Sequence, residues 1–140
     1  MIGRILGIDF GKARIGLALS DPLGITAQPF EVVAFEKIEE AITRIAALVK
    51  EHDVARIVLG LPLNMDGSEG FMVAATRDFA VALEKKTGLP SIEWDERLTS
   101  SQALSALGRQ EKSWKKRKKK LDAVAAQFLL QSYLDSPMAD

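Results

Sequence analysis

The stretch RILGIDFGKARIGLALSD, residues 4–21, decides the fold of this chain. Two short apolar runs, RILGIDF and RIGLALS, flank a turn at Gly11, and this pattern predicts an antiparallel pair of strands. Asp9 stands where the first run ends. A carboxylate at the end of what looks like the most buried strand needs a compensating partner, because an isolated buried charge is costly.

The remaining elements follow in an order typical of an α/β domain. FEVVAF predicts a third strand, and helical periodicity follows over residues 36–50. ARIVLGLP predicts a buried parallel strand, which is followed by a helix over 69–86 and a short strand, SIEW. A capping box at 99–102 predicts a helix that stops near Gly108, and LDAVAAQFLLQSYL predicts the last helix. We therefore expect one α/β domain over residues 1–140, with a mixed five-stranded sheet (three antiparallel strands, then two parallel) and helices on both faces.

The composition is that of a globular protein. The chain has 140 residues, of which 47% are apolar and 27% are charged. It contains no cysteine, which excludes a disulfide framework, a cysteine zinc site and a thiolate nucleophile. The N-terminus lacks the apolar core of a signal peptide and no stretch approaches a membrane span, so we expect a cytoplasmic protein with no membrane partner.

A net charge of zero hides a strongly basic segment. Residues 109–120, RQEKSWKKRKKK, hold eight Lys or Arg and one Glu, a local charge of +7, which leaves −7 for the rest of the chain. Such a run is commonly a solvated or flexible loop, and it also suits contact with a phosphate backbone. Trp114 within the run favours nucleic acid slightly, because an indole can stack on an unpaired base.

Three acidic residues occupy positions from which they could meet. Asp9 and Glu96 follow the first and fifth predicted strands, and Asp122 lies at the start of the last helix, where Ala125 and Ala126 would permit close packing on the sheet. Carboxylates pressed together resist ionisation unless a hard cation lies between them, and Mg²⁺ or Mn²⁺ suits such oxygen ligands. A turn-forming Asp or a helix-dipole partner would explain any one of these acids alone, but not three beside a basic segment.

Two further features carry alternatives. The loop LPLNMDGSEG, residues 61–70, could present backbone amides and Asn64 to a phosphate, or it could be a plain connection with Ser68 capping the next helix. Four aromatic residues at helical spacing are expected in the core rather than as stacking platforms: Phe71, Phe79, Phe128 and Tyr133.

Four motifs together resemble the YqgF (RuvX-like) family over residues 4–135: GIDFGKARIGLALSD, IVLGLPLNMDGSEG, WDERLTS and LDAVAAQFLLQSYLD. The resemblance implies an RNase H-like fold and a metal-dependent nuclease, described either as maturing the 5′ end of pre-16S rRNA or as resolving Holliday junctions. It implies Asp9, Glu96 and Asp122 as the catalytic, metal-binding acids, with Asp95 ranked below Glu96. The candidate nucleic-acid-binding residues are Lys12, Arg14, Asn64, Arg97, Lys115, Lys116, Arg117, Lys118, Lys119 and Lys120.

The sequence departs from the family pattern in two places. RNase H-like relatives usually carry an acid at the end of the fourth strand, whereas GLPLN, residues 60–64, has none, so Glu96 would replace it from the fifth strand. Many members also carry a Lys directly before the RIG motif, where this chain has Ala13, with Lys12 one position earlier.

Three functional classes follow from these observations. The first is a nuclease that acts on structured RNA or branched DNA, and for which a homodimer and association with the pre-ribosome stay open. The second is an actin-like nucleotide binder, which GIDFG also resembles, although 140 residues supply only one of the two lobes that such proteins need. The third is a non-catalytic RNA-binding assembly factor that kept the fold.

Overall fold

The computed structural model describes residues 3–64, 66–97 and 114–139. The predicted helix that ends near Gly108, with its capping box at 99–102, lies outside the described residues, as does the first part of the basic segment. Within the described ranges, no helix has both the length and the apolar character needed to cross a membrane.

The described elements follow the predicted order. The strands are β1 (Arg4–Phe10), β2 (Arg14–Ser20), β3 (Ala27–Ala34), β4 (Val54–Leu61) and β5 (Ser91–Asp95). The helices are α1 (Ile38–Glu51), α2 (Phe71–Thr87) and α3 (Trp114–Leu134), and a short 3₁₀ turn, Pro137–Ala139, follows them.

The five strands form one sheet in the order β3-β2-β1-β4-β5. β1 pairs antiparallel with β2, and β2 pairs antiparallel with β3. β4 pairs parallel with β1 and with β5, which places the carboxyl ends of β1, β4 and β5 at the same edge of the sheet. The predicted mixed sheet of three antiparallel and two parallel strands is confirmed.

Alternation along β1 separates the two faces of the sheet. Leu6 and Ile8 belong to a buried cluster that includes the inward residues of α1 and α2. Ile5 belongs to a second cluster with Ala126 and Leu130 of α3. Asp9 is four residues after Ile5 on the same strand, so its side chain lies on the same face of the sheet, which α3 covers.

The start of α2 differs from the prediction. The helix begins at Phe71 rather than Glu69, its N-cap is Gly70, and no side chain caps it, so the predicted Ser68 cap is wrong. Phe71 is 78% exposed, which also makes the expectation of a core position wrong. Phe79 and Tyr133 are buried as predicted, whereas Phe128 is half-buried.

Part of the basic segment is helical. Residues 114–120 form the first turns of α3, which therefore starts seven residues earlier than the predicted helix. The prediction of a loop is wrong for these residues, whose Lys and Arg are good helix formers.

Candidate metal and nucleic-acid site

Asp9 is flanked by a glycine on each neighbouring strand. In the antiparallel register Asp9 lies opposite Gly16 of β2. On the other side Ile8 pairs with Leu59, which places Gly60 of β4 beside Asp9. The order across the sheet is thus Gly16, Asp9 and Gly60, on the face that α3 covers. The missing side chains leave room on both sides of Asp9 for groups from other elements.

Gly16 lets the backbone of α3 approach the sheet. A Cβ atom on Gly16 would collide with the carbonyl oxygen of Asp122 and would lie 3.1 Å from the amide nitrogen of Ala123. Ala125 and Ala126 of the same helix are buried, and the Ala126 backbone approaches Gly7 of β1, in keeping with the small-residue pattern. The close approach brings Asp122 into the electrostatic environment of Asp9.

Gly60 makes room for the carboxylate of Glu96. A Cβ atom on Gly60 would collide with Glu96 Oε2 and would lie 3.1 Å from Leu129 Cδ2. Glu96 directly follows β5, yet its carboxylate lies over β4. The Glu96 carboxylate thus lies beside β4, whose own end carries no acid.

The Asp9 and Glu96 side chains are hydrogen-bonded to each other. Burial raises the pKa of Asp9 well above its usual value, and the charges of Glu96 and Asp122 raise it further. Burial also raises the pKa of Glu96, against the opposing effect of its hydrogen bond with Asp9. Two carboxyl groups in contact can share one proton but resist being ionised together. The pair is therefore held together either by a proton or by a cation.

Asp122 has a cationic partner. Arg14, the first residue of β2, donates from Nε to Asp122 Oδ2 at 2.6 Å, and both side chains are partly buried. Among the described residues, no three His, Asp or Glu side chains converge as a ready metal-binding group. The sequence-predicted acids are therefore brought together as an Asp9–Glu96 pair with Asp122 beside it, held by Arg14.

Asp95 and Glu96 have different environments. Asp95 is exposed and accepts hydrogen bonds from the backbone and side chain of Arg97, which lower the pKa of Asp95. Glu96 instead lies in the buried pair with Asp9. The geometry thus separates the two neighbouring acids and brings Glu96 to Asp9.

The loop before α2 is held by its own polar groups. Asn64 Nδ2 donates to Ser68 Oγ at 3.0 Å, and the Gly67 amide donates to the Asn64 carbonyl at 2.8 Å. The guanidinium of Arg97 lies over this loop, where its Nη1 would be 3.4 Å from a Cβ atom on Gly67. Asn64 therefore stabilises the loop through its side chain and its carbonyl group, and the guanidinium of Arg97 lies next to the same loop.

The remaining predicted contact residues occupy the same edge of the sheet or the helix that crosses it. Lys12 is exposed in the β1–β2 turn. Residues 115–120 lie on the first turns of α3 and end two residues before Asp122. Sequence reasoning missed the two glycines, because their importance depends on which strands are neighbours and in what register.

The sheet order, the helices on both faces and the acids beside the strand ends define an RNase H-like domain. The fold is similar to that of Thermus thermophilus RuvC in complex with a Holliday junction substrate, with a TM-score of 0.56, 18% identity and 97% of each chain covered. It is also similar to Fowlpox virus resolvase in complex with Holliday junction DNA, with a TM-score of 0.59, 12% identity and coverage of 94% of this chain and 97% of the other.

Residues 3–136 match the family model described as "RuvX: Holliday junction resolvase", and this chain belongs to that family. A protein of Lachnospira eligens is 45% identical over 136 residues, which cover 95% of this chain and 97% of the relative. A protein of Syntrophus aciditrophicus is 44% identical over 133 residues, covering 95% and 89% of the two chains. Both relatives bear the name "Putative pre-16S rRNA nuclease".

Proposed function

We propose that this protein is a metal-dependent nuclease that hydrolyses phosphodiester bonds. The observation that carries the proposal is the buried contact between Asp9 and Glu96, with Asp122 beside it. A fold does not need such a contact, because like-charged groups in a buried site oppose one another. Perturbed carboxylates beside the ends of parallel strands are typical of a functional site.

The donor set fits a hard divalent cation such as Mg²⁺ or Mn²⁺. Asp9 and Glu96 would hold it, because two adjacent carboxylates match the oxygen preference of these ions and lose their repulsion when a cation binds. Asp122 would be the third ligand, oriented by its ion pair with Arg14. When bound, the cation would activate water and neutralise charge that develops on a phosphoryl oxygen.

The cations around the acids would position the substrate. Arg97 and Lys12 lie at the same edge of the sheet, and residues 115–120 span about 9 Å of helix leading to Asp122. We assign Lys115, Lys116, Arg117, Lys118, Lys119 and Lys120 to backbone phosphate contacts. Such contacts hold a strand without reading its bases, so they suit RNA and DNA alike.

We propose the precursor of 16S rRNA as the substrate, because relatives that match nearly the whole chain are named for it. The description of the family model favours a second candidate, a four-way DNA junction. The whole-length match gives more support to a nuclease than to one lobe of a nucleotide-binding ATPase.

The test compares cleavage of a 5′-extended 16S rRNA precursor and of a four-way DNA junction, with Mg²⁺ or Mn²⁺. We expect the wild type to cut the precursor, Asp9→Asn to lose cleavage by at least ~10³-fold, and Asp95→Asn to stay within a few-fold. Asp95 is the matched control, because it is a neighbouring acid that Arg97 holds away from the pair.

Each other outcome has a definite meaning. Cutting of the junction alone would transfer the assignment to a resolvase. An active Asp9→Asn variant would contradict the metal mechanism. Binding without cleavage under either cation would assign the chain to the non-catalytic assembly factors.

A further inference from the structure

Phe71 is an aromatic residue left outside the core. It is the first residue of α2 and is 78% exposed, the largest exposed fraction among the large apolar residues that the structure describes as exposed. The next aromatic residue on the helix, Phe79, is only 3% exposed and packs on Phe10 with 4.8 Å between ring centroids. Burial in the core therefore does not explain Phe71.

The ring of Phe71 has a cationic neighbour. Lys12 Nζ lies 4.9 Å from the ring centroid, in the range of a cation–π contact. Lys12 comes from the β1–β2 turn, so two separate parts of the chain build this contact. A single exposed apolar residue is ordinary on a protein surface. An aromatic ring beside a positive charge is different, because the ring can stack on a planar group while the charge attracts an anion.

The contact lies at the same edge of the sheet as the acids, because Lys12 follows the carboxyl end of β1 and Phe71 begins the helix that follows β4. Lys12 follows Asp9 by three residues, so the two Cα atoms can be no more than about 11 Å apart. A cavity of about 400 Å³ between α1 and α2 has Lys12 and Met72 in its lining, whereas Phe71 does not line it. The ring is thus exposed at this edge of the sheet, on the face opposite to α3, rather than directed into the apolar cavity.

We propose that Phe71 and Lys12 form a stacking platform for one unpaired base of the substrate strand. The base stacks on the face of the ring that Lys12 leaves open, and the ammonium group contacts a phosphate of the same strand. Stacking on an aromatic residue beside a basic group is the usual way in which proteins hold single-stranded nucleic acid. A base paired within a duplex presents no free face, so the platform selects substrates with unpaired nucleotides.

This inference rests on the proposed function for the identity of the strand, and its test uses binding alone. All variants carry Asp9→Asn so that the strand stays intact. The probe is a 12-nucleotide single-stranded RNA with a fluorescent adenine analogue, compared with a blunt RNA duplex of the same length. The added substitutions are Phe71→Ala, Phe71→Trp and Val81→Ala, the last being a control at another exposed apolar residue of α2.

We expect Phe71→Ala to weaken binding of the single strand about 5- to 100-fold, the loss of one stacked base, and to abolish fluorescence quenching. Phe71→Trp should restore binding to within about twofold, because indole also stacks. Neither Val81→Ala nor duplex binding should change. Unchanged melting temperatures would show that the variants are folded.

The platform would be refuted by single-strand binding that survives Phe71→Ala, by an equal loss for strand and duplex, or by absence of single-strand binding in the parent. These results are independent of the nuclease assignment, which fails only if the wild type cleaves neither substrate with metal. A Phe71 that serves a protein partner instead would leave single-strand binding unchanged.

Discussion

Alanine at Gly16 and alanine at Gly60 should both lower activity, but only alanine at Gly16 should also lower stability. A methyl group on Gly16 meets the backbone of α3 at Asp122, which cannot rotate away, so the helix must move outward. Overpacking of this kind costs about 1–3 kcal/mol. For a chain of 140 residues this corresponds to a fall in melting temperature of roughly 3–12 °C.

A methyl group on Gly60 meets movable side-chain ends, those of Glu96 and Leu129. These groups can rotate, and alanine in place of a strand glycine gains about 0.5–1 kcal/mol in conformational entropy. We therefore expect a change in unfolding free energy within about 1 kcal/mol of zero. The carboxylate of Glu96 is nevertheless displaced from Asp9, and a misplacement of 1 Å costs about 10²-fold in rate.

The assay pairs thermal unfolding of the metal-free variants with initial cleavage rates at saturating Mg²⁺. Gly16→Ala should lose both stability and activity, whereas Gly60→Ala should lose activity with little change in melting temperature. Full activity in Gly60→Ala, or destabilisation equal to that of Gly16→Ala, would refute the placement of the Glu96 carboxylate over β4.

Three other predictions concern the acids. Asp9→Asn should stabilise the metal-free protein at pH 7 by about 0.5–2 kcal/mol in urea unfolding, because it removes a repelled carboxylate. Because the pKa of Asp9 is raised in the folded state, Asp9 loses its proton at a lower pH in the unfolded chain than in the folded protein. The unfolding free energy of the wild type should therefore fall relative to that of Asp9→Asn as pH rises above about 4. A difference in unfolding free energy that does not change with pH would contradict the raised pKa. Mg²⁺ at 100 times its dissociation constant should stabilise the wild type by about 2.7 kcal/mol in thermal unfolding and Asp9→Asn by much less, and equal shifts would place the ion elsewhere. Arg14→Ala should lower the cleavage rate about 10- to 100-fold by releasing Asp122, at a stability cost of less than about 1 kcal/mol, and an unchanged rate would remove Arg14 from the site.

Local sequence patterns were sufficient for the elements whose neighbours are also near in sequence. β1 and β2 have the predicted bounds, and the predicted face of α1 is buried, because strand and helix periodicity report burial directly. The predicted start of α2 was wrong because Glu69 and Ser68 resemble the start of a helix, whereas Glu69 pairs with Leu63 in an isolated β-bridge and Gly70 is still extended. Phe71 was assigned to the core from its helical spacing to other aromatic residues, although a residue at the first helical position can extend past the sheet edge.

The relation of Asp9 to its neighbours could not be read from spacing. Gly16, Gly60 and Glu96 are distant in sequence and meet only through the strand register and the position of α3. An acid on β4 would require a side chain at the place that Glu96 fills from β5. Gly60, the penultimate residue of β4, leaves the space that the Glu96 carboxylate occupies, so the contact between Asp9 and Glu96 depends on Gly60 as much as on Glu96 itself.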